Sequence, residues 1–288
     1  MSLVVIPTSF AKHLGQALSD SGAYEVLWPE DNKEGARFFP DGEVYAKLPV
    51  SSPDDRTVVL HAGMPNPNDG LQELESILTL LKARKTKHID VFFSYFPYSM
   101  QDGVFLEGEL NAAEALVQKL IGYYGVAQLF VIDPHFGGRP WMEQYPIVPL
   151  SAMDSLKKEI EQKYPDALFL APDAGGQRRF GLAGFVKDRI DSFSVTITNG
   201  EEIGKDLKGK TVVIVDDLVE TGGTLVRIAE SCREYGATKL IALITHAVLL
   251  KGVERVNEAY DEVFLANTIG HHDAQHDVVD LIRNTLTT

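Results

Sequence analysis

Apolar residues along the chain follow two patterns that alternate over almost its whole length. Short runs rich in Val, Ile and Phe have the length and composition of β-strands. Between these runs, apolar residues recur every three to four positions, as on one face of a helix. The predicted strands are Ser2–Pro7, Thr57–Ala62, Ile89–Tyr95, Leu129–Asp133, Ala167–Ala171, Thr211–Val215 and Leu240–Thr245. This alternation predicts an α/β protein with mostly parallel sheets flanked by helices.

Two of the helical stretches are especially regular. One has Asn68 and Asp69 before it as capping candidates. The apolar face of that helix consists of Leu71, Leu74, Ile77, Leu78 and Leu81. The other stretch has Leu225, Ile228, Ala229 and Cys232 at helical spacing. Cys232 is the only cysteine, which excludes a disulfide within the chain and predicts a packed thiol rather than a nucleophile.

The alternating pattern runs twice, once on each side of about position 148, where Pro146 and Pro149 punctuate the chain. We therefore expect two tandem domains of similar build, residues 1–148 and residues 149–288, with the last helix free to pack back on the first domain. In open α/β sheets, ligands bind beyond the carboxyl ends of the strands. The residues that follow each strand are therefore the candidates for function.

The charge of the chain narrows the classes of partner. With 27 Lys and Arg against 41 Asp and Glu, the formal net charge is -14, a field that repels nucleic acids and anionic membranes. No apolar stretch approaches the length that spans a membrane, and the first residues lack a basic signal-peptide region. A cytoplasmic location is therefore expected. An anionic ligand would need local backbone amides, a few basic side chains and bound Mg²⁺.

The strongest motif reads TVVIVDDLVETGGT, from Thr211 to Thr224. A buried strand is followed by two acids, a third acid and a glycine-threonine turn that opens an amphipathic helix. Backbone N–H groups at such a helix start suit a phosphate dianion, and the acids can accept hydrogen bonds from sugar hydroxyls. The alternative is an ordinary strand-to-helix turn with capping acids. The motif lacks the GxxxxGK[ST] spacing of a P-loop.

This motif resembles the phosphoribosyl-pyrophosphate-binding loop of the type I phosphoribosyltransferase superfamily. Further segments occur in the order that is typical of ribose-phosphate pyrophosphokinases, and the chain is identified as a divergent member of that family. These segments are FFPDGEVY at Phe38–Tyr45, PNPND at Pro65–Asp69, SYFPYSMQD at Ser94–Asp102, IDPHFGG at Ile132–Gly138 and APDAGGQRR at Ala171–Arg179.

The resemblance implies an enzyme that transfers the β,γ-pyrophosphoryl group of ATP, or of another nucleoside triphosphate, to the C1 hydroxyl of ribose 5-phosphate. It implies Mg²⁺ as cofactor, with His135 and Asp173 near the metal, and Lys187 and Arg189 as the catalytic cations. The residues that it assigns to ribose 5-phosphate are Asp216, Asp217, Glu220, Thr221, Gly222, Gly223 and Thr224. Arg179 aligns with a basic residue of the family and could assist phosphate binding or solvate a turn.

The resemblance also assigns a nucleotide site. Its implied members are Phe39, Asp41, Glu43, Gln101, Asp102 and His135. In the family the loop at Phe39 reaches a neighbouring subunit, which implies a homo-oligomer of two or more subunits, up to a hexamer. Without the resemblance, the Pro-Asp-Gly sequence in this loop favours an exposed turn.

The chain departs from the family at the nucleotide strand. Pro97, Ser99 and Met100 replace the usual Gly, Ala and Arg, and Gly103 stands where a basic residue is common. Methionine offers neither charge nor a hydrogen-bond donor, so the preferred nucleotide stays open. Two alternatives also stay open: a phosphoribosyltransferase that consumes phosphoribosyl pyrophosphate, and a catalytically silent homologue that associates with an active synthase.

Overall fold

The protein is described by a computed structural model that covers residues 3–49, 56–185, 187–189, 195–197 and 200–287, with the backbone alone for 187–189, 195–197 and 200–203. The chain forms two compact units. The first unit comprises Met1–Leu150, Thr268–Gly270 and Val278–Thr288, and the second comprises Ser151–Asn267 and His271–Asp277. The chain therefore returns to the first unit at its carboxyl end.

Helices and strands alternate along the chain. The strands are β1 (Leu3–Pro7), β2 (Glu25–Val26), β3 (Arg56–Ala62), β4 (His88–Tyr95), β5 (Gln128–Ile132), β6 (Ile147–Leu150), β7 (Leu168–Leu170), β8 (Lys187–Arg189), β9 (Val195–Ile197), β10 (Thr211–Val219), β11 (Lys239–Ala247) and β12 (Glu262–Leu265). The helices are α1 (Lys12–Asp20), α2 (Pro67–Ala83), α3 (Ala112–Gly122), α4 (Met153–Lys163), α5 (Ala174–Phe180), α6 (Gly200–Leu207), α7 (Gly223–Glu234), α8 (Leu250–Ala259) and α9 (Val279–Leu286), with short 3₁₀ helices at Ser9–Ala11 and Pro140–Gln144.

The sheet of the first unit has six parallel strands in the order β2-β1-β3-β4-β5-β6. Its inner strands β3 and β4 are buried along almost their whole length, as the runs of Val, Ile and Phe predicted and as is typical of parallel sheets. The edge strands β2 and β6 escaped prediction. β2 has only two residues, and β6 contains Pro149, which has no N–H to give to a ladder.

Helix α2 carries the apolar face that its spacing predicted. Leu74, Ile77, Leu78 and Leu81 are buried in the core of the first unit. The predicted caps were wrong, because the helix begins at Pro67, with Asn66 in the N-cap position, and Asn68 and Asp69 lie inside its first turn. Proline suits the first helical position because the N–H that it lacks would have no partner there.

The second unit has a parallel sheet in the order β12-β11-β10-β7, together with the antiparallel pair β8-β9. The central strand β10 is longer than predicted. It continues past Val215 to Val219, because β11 runs to Ala247 and supplies partners in register, with Asp216 opposite Ile244. The acidic pair therefore lies within the end of the strand rather than in a turn after it.

Two further expectations can be compared with the described residues. Cys232 is buried in the core of the second unit, where burial raises the pKa of its thiol to about 12, so its role as a packed thiol is confirmed. Among the helices in the described part of the chain, none combines the length and the apolar character needed to cross a bilayer.

Candidate functional site

The acids at the end of β10 meet a buried arginine. The Nη2 atom of Arg179 lies 2.6 Å from Oδ1 of Asp217 and 3.7 Å from Oδ1 of Asp216. The side chains of Arg179 and Asp217 are 6% and 1% exposed, whereas that of Asp216 is 15% exposed. Helix α5 thus brings a guanidinium to the carboxyl end of the central strand, which gives Arg179 a structural role that its sequence position left open.

Burial and neighbouring charges both act on the pKa of Asp216 in this cluster. Burial is the largest cause that raises the pKa of Asp216 well above its usual range, and the charges of Asp217 and Asp173 raise it further. The Arg179 guanidinium acts in the opposite direction and lowers the pKa of that carboxyl. The charges of Asp173 and Asp217 thus act on Asp216 against that of Arg179, and hydroxyl donors or a divalent metal would offset the repulsion between the carboxyl groups.

Asp173 occupies the start of α5. Its side chain accepts a hydrogen bond of 2.9 Å from the N–H of Gly176 and so caps the helix. A Cβ atom on Gly175 would lie 2.9 Å from Nη1 of Arg179, so the glycine leaves room for the guanidinium. The Ala-Gly-Gly turn thus lets Asp173 and Arg179 lie close to each other.

The glycine-threonine loop connects β10 to α7. Gly222 adopts a φ of 73°, which favours glycine, and serves as the N-cap residue of α7, while Glu220 and Thr221 are exposed. A helix start leaves backbone N–H groups without intrahelical acceptors, which makes it a suitable place for an anion. All the residues predicted to bind the sugar phosphate therefore lie along one continuous segment of the second unit.

Three of the residues predicted to bind the nucleotide, Phe39, Asp41 and Glu43, lie on a small hairpin of the first unit. Phe39 N donates to Glu43 O at 2.8 Å and Gly42 N donates to Phe39 O at 2.9 Å, which closes the turn. Oδ1 of Asp41 accepts a hydrogen bond of 3.1 Å from Glu43 N. Phe39, Asp41 and Glu43 are all exposed, and the Phe39 ring packs edge-on against Tyr45. The hairpin is thus ordered by its own hydrogen bonds and presents its side chains outward.

The base of this hairpin is bound to a buried carboxylate that motif comparison missed. Glu73, on α2, is fully buried and accepts hydrogen bonds from Nε and Nη2 of Arg37 at 3.2 and 2.9 Å. It also accepts from the N–H and the hydroxyl of Ser9 at 3.0 and 2.5 Å. The sequence contains a signal for Glu73, because this glutamate occupies a position on the otherwise apolar face of α2.

The two predicted residues at the end of the nucleotide strand differ in exposure. Gln101 is exposed, whereas Asp102 is buried and receives two hydrogen bonds, of 2.7 and 2.8 Å, from Arg139. The indole N–H of Trp141 donates to Asp102 O at 3.0 Å. Arg139 was not singled out in the sequence. It binds the carboxylate of Asp102, two residues after Met100 in the chain.

The remaining predicted residues, His135, Lys187 and Arg189, belong to different units of the chain. His135, in the turn after β5, is half-buried and belongs to the first unit. The backbone of Lys187 and Arg189 forms β8 and pairs with Ile197 and Val195 of β9. The side chains of these two cations are outside the described part of the chain, so their catalytic roles stay predictions.

Comparisons with known proteins agree with the motif order. Residues 29–125 match the model of the N-terminal domain of ribose phosphate pyrophosphokinase, and residues 185–281 match that of the phosphoribosyl transferase domain. A ribose-phosphate pyrophosphokinase of Thermococcus kodakarensis is 33% identical over 91% of this chain and 92% of its own length. One from Pyrococcus abyssi is 31% identical over 98% of each chain.

A solved structure shares the fold. The phosphoribosylpyrophosphate synthetase from Mycobacterium smegmatis superposes with a TM-score of 0.83 at 22% sequence identity, over 100% of this chain and 98% of that one. This likeness bears out the predicted α/β architecture with its parallel sheets and flanking helices.

Proposed function

The chain belongs to the ribose-phosphate pyrophosphokinase family, and from this premise we propose that it makes phosphoribosyl pyrophosphate. The C1 hydroxyl oxygen of ribose 5-phosphate attacks the β-phosphorus of ATP, the bond from that phosphorus to the α-phosphate bridging oxygen breaks, and AMP leaves. The hydroxyl proton is released. Such a transfer depends on alignment and charge neutralisation more than on covalent chemistry by the protein.

The observation that carries this proposal is the acidic end of β10 next to the glycine-threonine loop. The loop from Thr221 to Thr224 would bind the 5-phosphate through backbone N–H groups at the start of α7. Asp216 and Asp217 would accept hydrogen bonds from the ring hydroxyls, which compensates part of their mutual repulsion. Arg179 holds the Asp217 side chain in place through a hydrogen-bonded ion pair.

Mg²⁺ fits the chemistry of the proposed ligands. Asp173 lies in the same cluster of carboxyl groups as Asp216 and Asp217, and oxygen ligands suit this hard ion. We propose that Asp173, on the second unit, is a Mg²⁺ ligand together with water and substrate phosphates. For His135, which belongs to the first unit, the resemblance alone implies a metal-binding role. When bound, the ion neutralises charge on the triphosphate.

The nucleotide and the transferring phosphates are assigned by resemblance. Phe39 would stack on the base, Asp41 and Glu43 would accept hydrogen bonds from its amino group, and Gln101 and Asp102 would contact the nucleotide along with His135. Lys187 and Arg189 would bind the phosphates as charge develops in the transition state. The exposed hairpin supports this proposal because its side chains are available to a ligand.

We also propose a cytoplasmic homo-oligomer. An exposed apolar segment near the nucleotide strand supports self-association, because Val104, Phe105 and Leu106 are 63%, 66% and 69% exposed. Sedimentation analysis would test it: a monomer at micromolar concentration would contradict the oligomer while leaving the reaction open.

The reaction is tested with purified protein, Mg²⁺, ribose 5-phosphate and each of several nucleoside triphosphates. We expect phosphoribosyl pyrophosphate and a nucleoside monophosphate in equal amounts, and loss of turnover in Lys187→Ala. No product with any donor would overturn the proposal. Tight binding to an active synthase without turnover would then favour a silent homologue, and coupling of a base to added phosphoribosyl pyrophosphate would favour a transferase.

A further inference from the structure

We define the sugar-phosphate loop as Glu220–Thr224. The backbone of helix α8 lies in close contact with the backbone of this loop. A Cβ atom on Gly252 would lie 1.9 Å from the carbonyl oxygen of Glu220 and 2.8 Å from its carbonyl carbon. In the other direction, a Cβ atom on Gly222 would lie 2.7 Å from the carbonyl oxygen of Gly252. Only glycine at both positions allows this approach.

Hydrogen bonds from α8 and its flanking residues hold the loop and the residues on either side of it at three carbonyl groups. The N–H of Val248 donates to Val219 O at 2.9 Å, where β10 ends. Nη1 of Arg255 donates to Thr221 O at 2.9 Å, in the middle of the loop. The hydroxyl of buried Tyr260 donates to Leu225 O at 2.9 Å, in the first turn of α7.

The bond from Arg255 has a geometric consequence for the neighbouring amide. The carbonyl of Thr221 and the N–H of Gly222 belong to one planar trans peptide, in which the two groups point in opposite directions. A donor that fixes the direction of the carbonyl therefore fixes the direction of the N–H. A charged donor also polarises the peptide and makes its N–H a stronger donor to an anion.

We propose that Arg255 is a positioning residue, which directs the Gly222 N–H toward the 5-phosphate, and that Gly252 provides the close contact that makes this possible. The inference rests on the proposed function, because it takes the loop to be the phosphate site. Arg255 touches the loop only through the Thr221 carbonyl in the described contacts, so it acts on the ligand through the backbone. A loop directed in advance binds its anion without a further ordering cost.

Arg255 is well placed for a test because it is exposed and its removal should leave the fold intact. In Arg255→Met we expect the KM for ribose 5-phosphate to rise roughly five- to tenfold, as for loss of one exposed hydrogen bond. The KM for ATP and the thermal midpoint should stay unchanged. Arg255→Lys, which keeps a charged donor, should recover part of the affinity.

Arg233→Met is the matched control. Arg233 is an exposed arginine of α7 that lines the same surface groove as Arg255, and it pairs with Asp261 instead of the loop. Both variants remove one positive charge from this surface. Equal effects of the two variants on the KM for ribose 5-phosphate would overturn the inference, because they would report general electrostatics.

A second measurement does not depend on turnover. Hydrogen-deuterium exchange of the peptide that spans the loop should be faster in Arg255→Met than in the wild type, and unchanged in Arg233→Met. If the wild type makes phosphoribosyl pyrophosphate and Arg255→Met matches it in both KM and exchange, the positioning role is wrong. If the wild type makes none, the proposed function fails, and the exchange result alone decides whether Arg255 orders the loop.

Discussion

The nucleotide hairpin and the sugar-phosphate loop are two exposed segments that are held in different ways. The hairpin, residues 37–45, is anchored through Arg37 to the buried carboxylate of Glu73, which also binds Ser9. The sugar-phosphate loop is anchored through its own backbone, with Gly222 and Gly252 in close approach. One segment depends on a buried charge pair and the other on the absence of side chains.

This difference follows from what each segment is proposed to do. A loop that binds phosphate through N–H groups needs its backbone directions fixed, and backbone contacts fix them directly. A hairpin that presents side chains needs only its base to be fixed, and an arginine fork on a carboxylate supplies that with defined geometry. Removal of a buried charge should therefore affect the hairpin, and added side-chain volume should affect the loop.

The largest effect is expected for Glu73→Gln. Removing one partner of a buried ion pair leaves Arg37 without its counter-charge, which should lower the free energy of unfolding by about 3–5 kcal/mol. Where the protein still folds, at low temperature, the KM for ATP should rise while that for ribose 5-phosphate stays the same. Urea denaturation and steady-state kinetics measure the two effects.

Asp90→Asn is the control for this variant. Asp90 is also fully buried and pairs with Arg56 at 2.8 Å, away from the hairpin contacts. The Asp90→Asn variant should lower the free energy of unfolding by a similar amount, without changing the KM for ATP or for ribose 5-phosphate. An equal rise of the ATP KM in both variants would mean that Glu73 acts only through global stability.

The next effect concerns pH. Burial lowers the pKa of His61 to about 3, so the folded state keeps this imidazole neutral, and its ring packs near Phe10, which contacts Phe38 of the hairpin. Since the unfolded chain takes up the proton near pH 6.5, stability is present above that pH and is lost as the pH falls toward 3. The loss attributable to His61 should reach about 3 kcal/mol at pH 4.

Urea denaturation at several pH values, compared between the wild type and His61→Gln, isolates this contribution from that of the carboxylates. The variant should be less stable at neutral pH because it loses the contact of His61 with Thr8, yet its stability should fall less between pH 7 and pH 4. Parallel pH profiles would show that the imidazole does not stay neutral in the fold.

A smaller effect on stability is expected for Gly222→Ala in the sugar-phosphate loop. An L-residue at a φ of 73° costs about 1–2 kcal/mol, and the added Cβ would lie 2.7 Å from Gly252 O. We expect the affinity for ribose 5-phosphate, measured by calorimetry, to fall by more than about tenfold, with ATP binding unchanged.

The control variant Gly209→Ala separates the effect of backbone strain at a positive φ from the effect of a close contact between the added Cβ and Gly252. Gly209 has a φ of 74°, and a Cβ atom there would meet nothing within 4 Å. The Gly209→Ala variant should lose a similar amount of unfolding free energy and keep its affinity for ribose 5-phosphate. If Gly222→Ala bound the sugar phosphate as well as Gly209→Ala does, close backbone packing would not be what shapes the loop.

The smallest effect is expected for Met100→Arg. Met100 is 44% exposed, and a guanidinium at this position restores the group that the family carries. The KM for ATP should fall by up to about tenfold, as for one added hydrogen bond at an exposed position. Leu110→Arg adds the same charge at a position that is 64% exposed, and an equal gain there would indicate nonspecific attraction.

Much of the fold was predictable because it rests on local patterns. The inner strands and the buried face of α2 follow from apolar runs and from helical spacing, which report burial directly. The edge strands β2, β6 and β12 and the end of β10 were not predictable in this way. Their extent depends on hydrogen-bond partners in neighbouring strands, as with the pairing of Asp216 and Ile244.

The sequence by itself determined the class of the fold, the family and the order of the segments assigned to ligands, because these are written in local motifs. Only the tertiary structure decided which groups support those segments: Arg179 beside Asp217, Glu73 beneath the hairpin and Arg255 against Thr221. These partners are 36 residues apart for Glu73 and Arg37, 38 for Arg179 and Asp217, and 34 for Arg255 and Thr221. Contacts over such separations arise from strand order and helix packing, which no local pattern specifies.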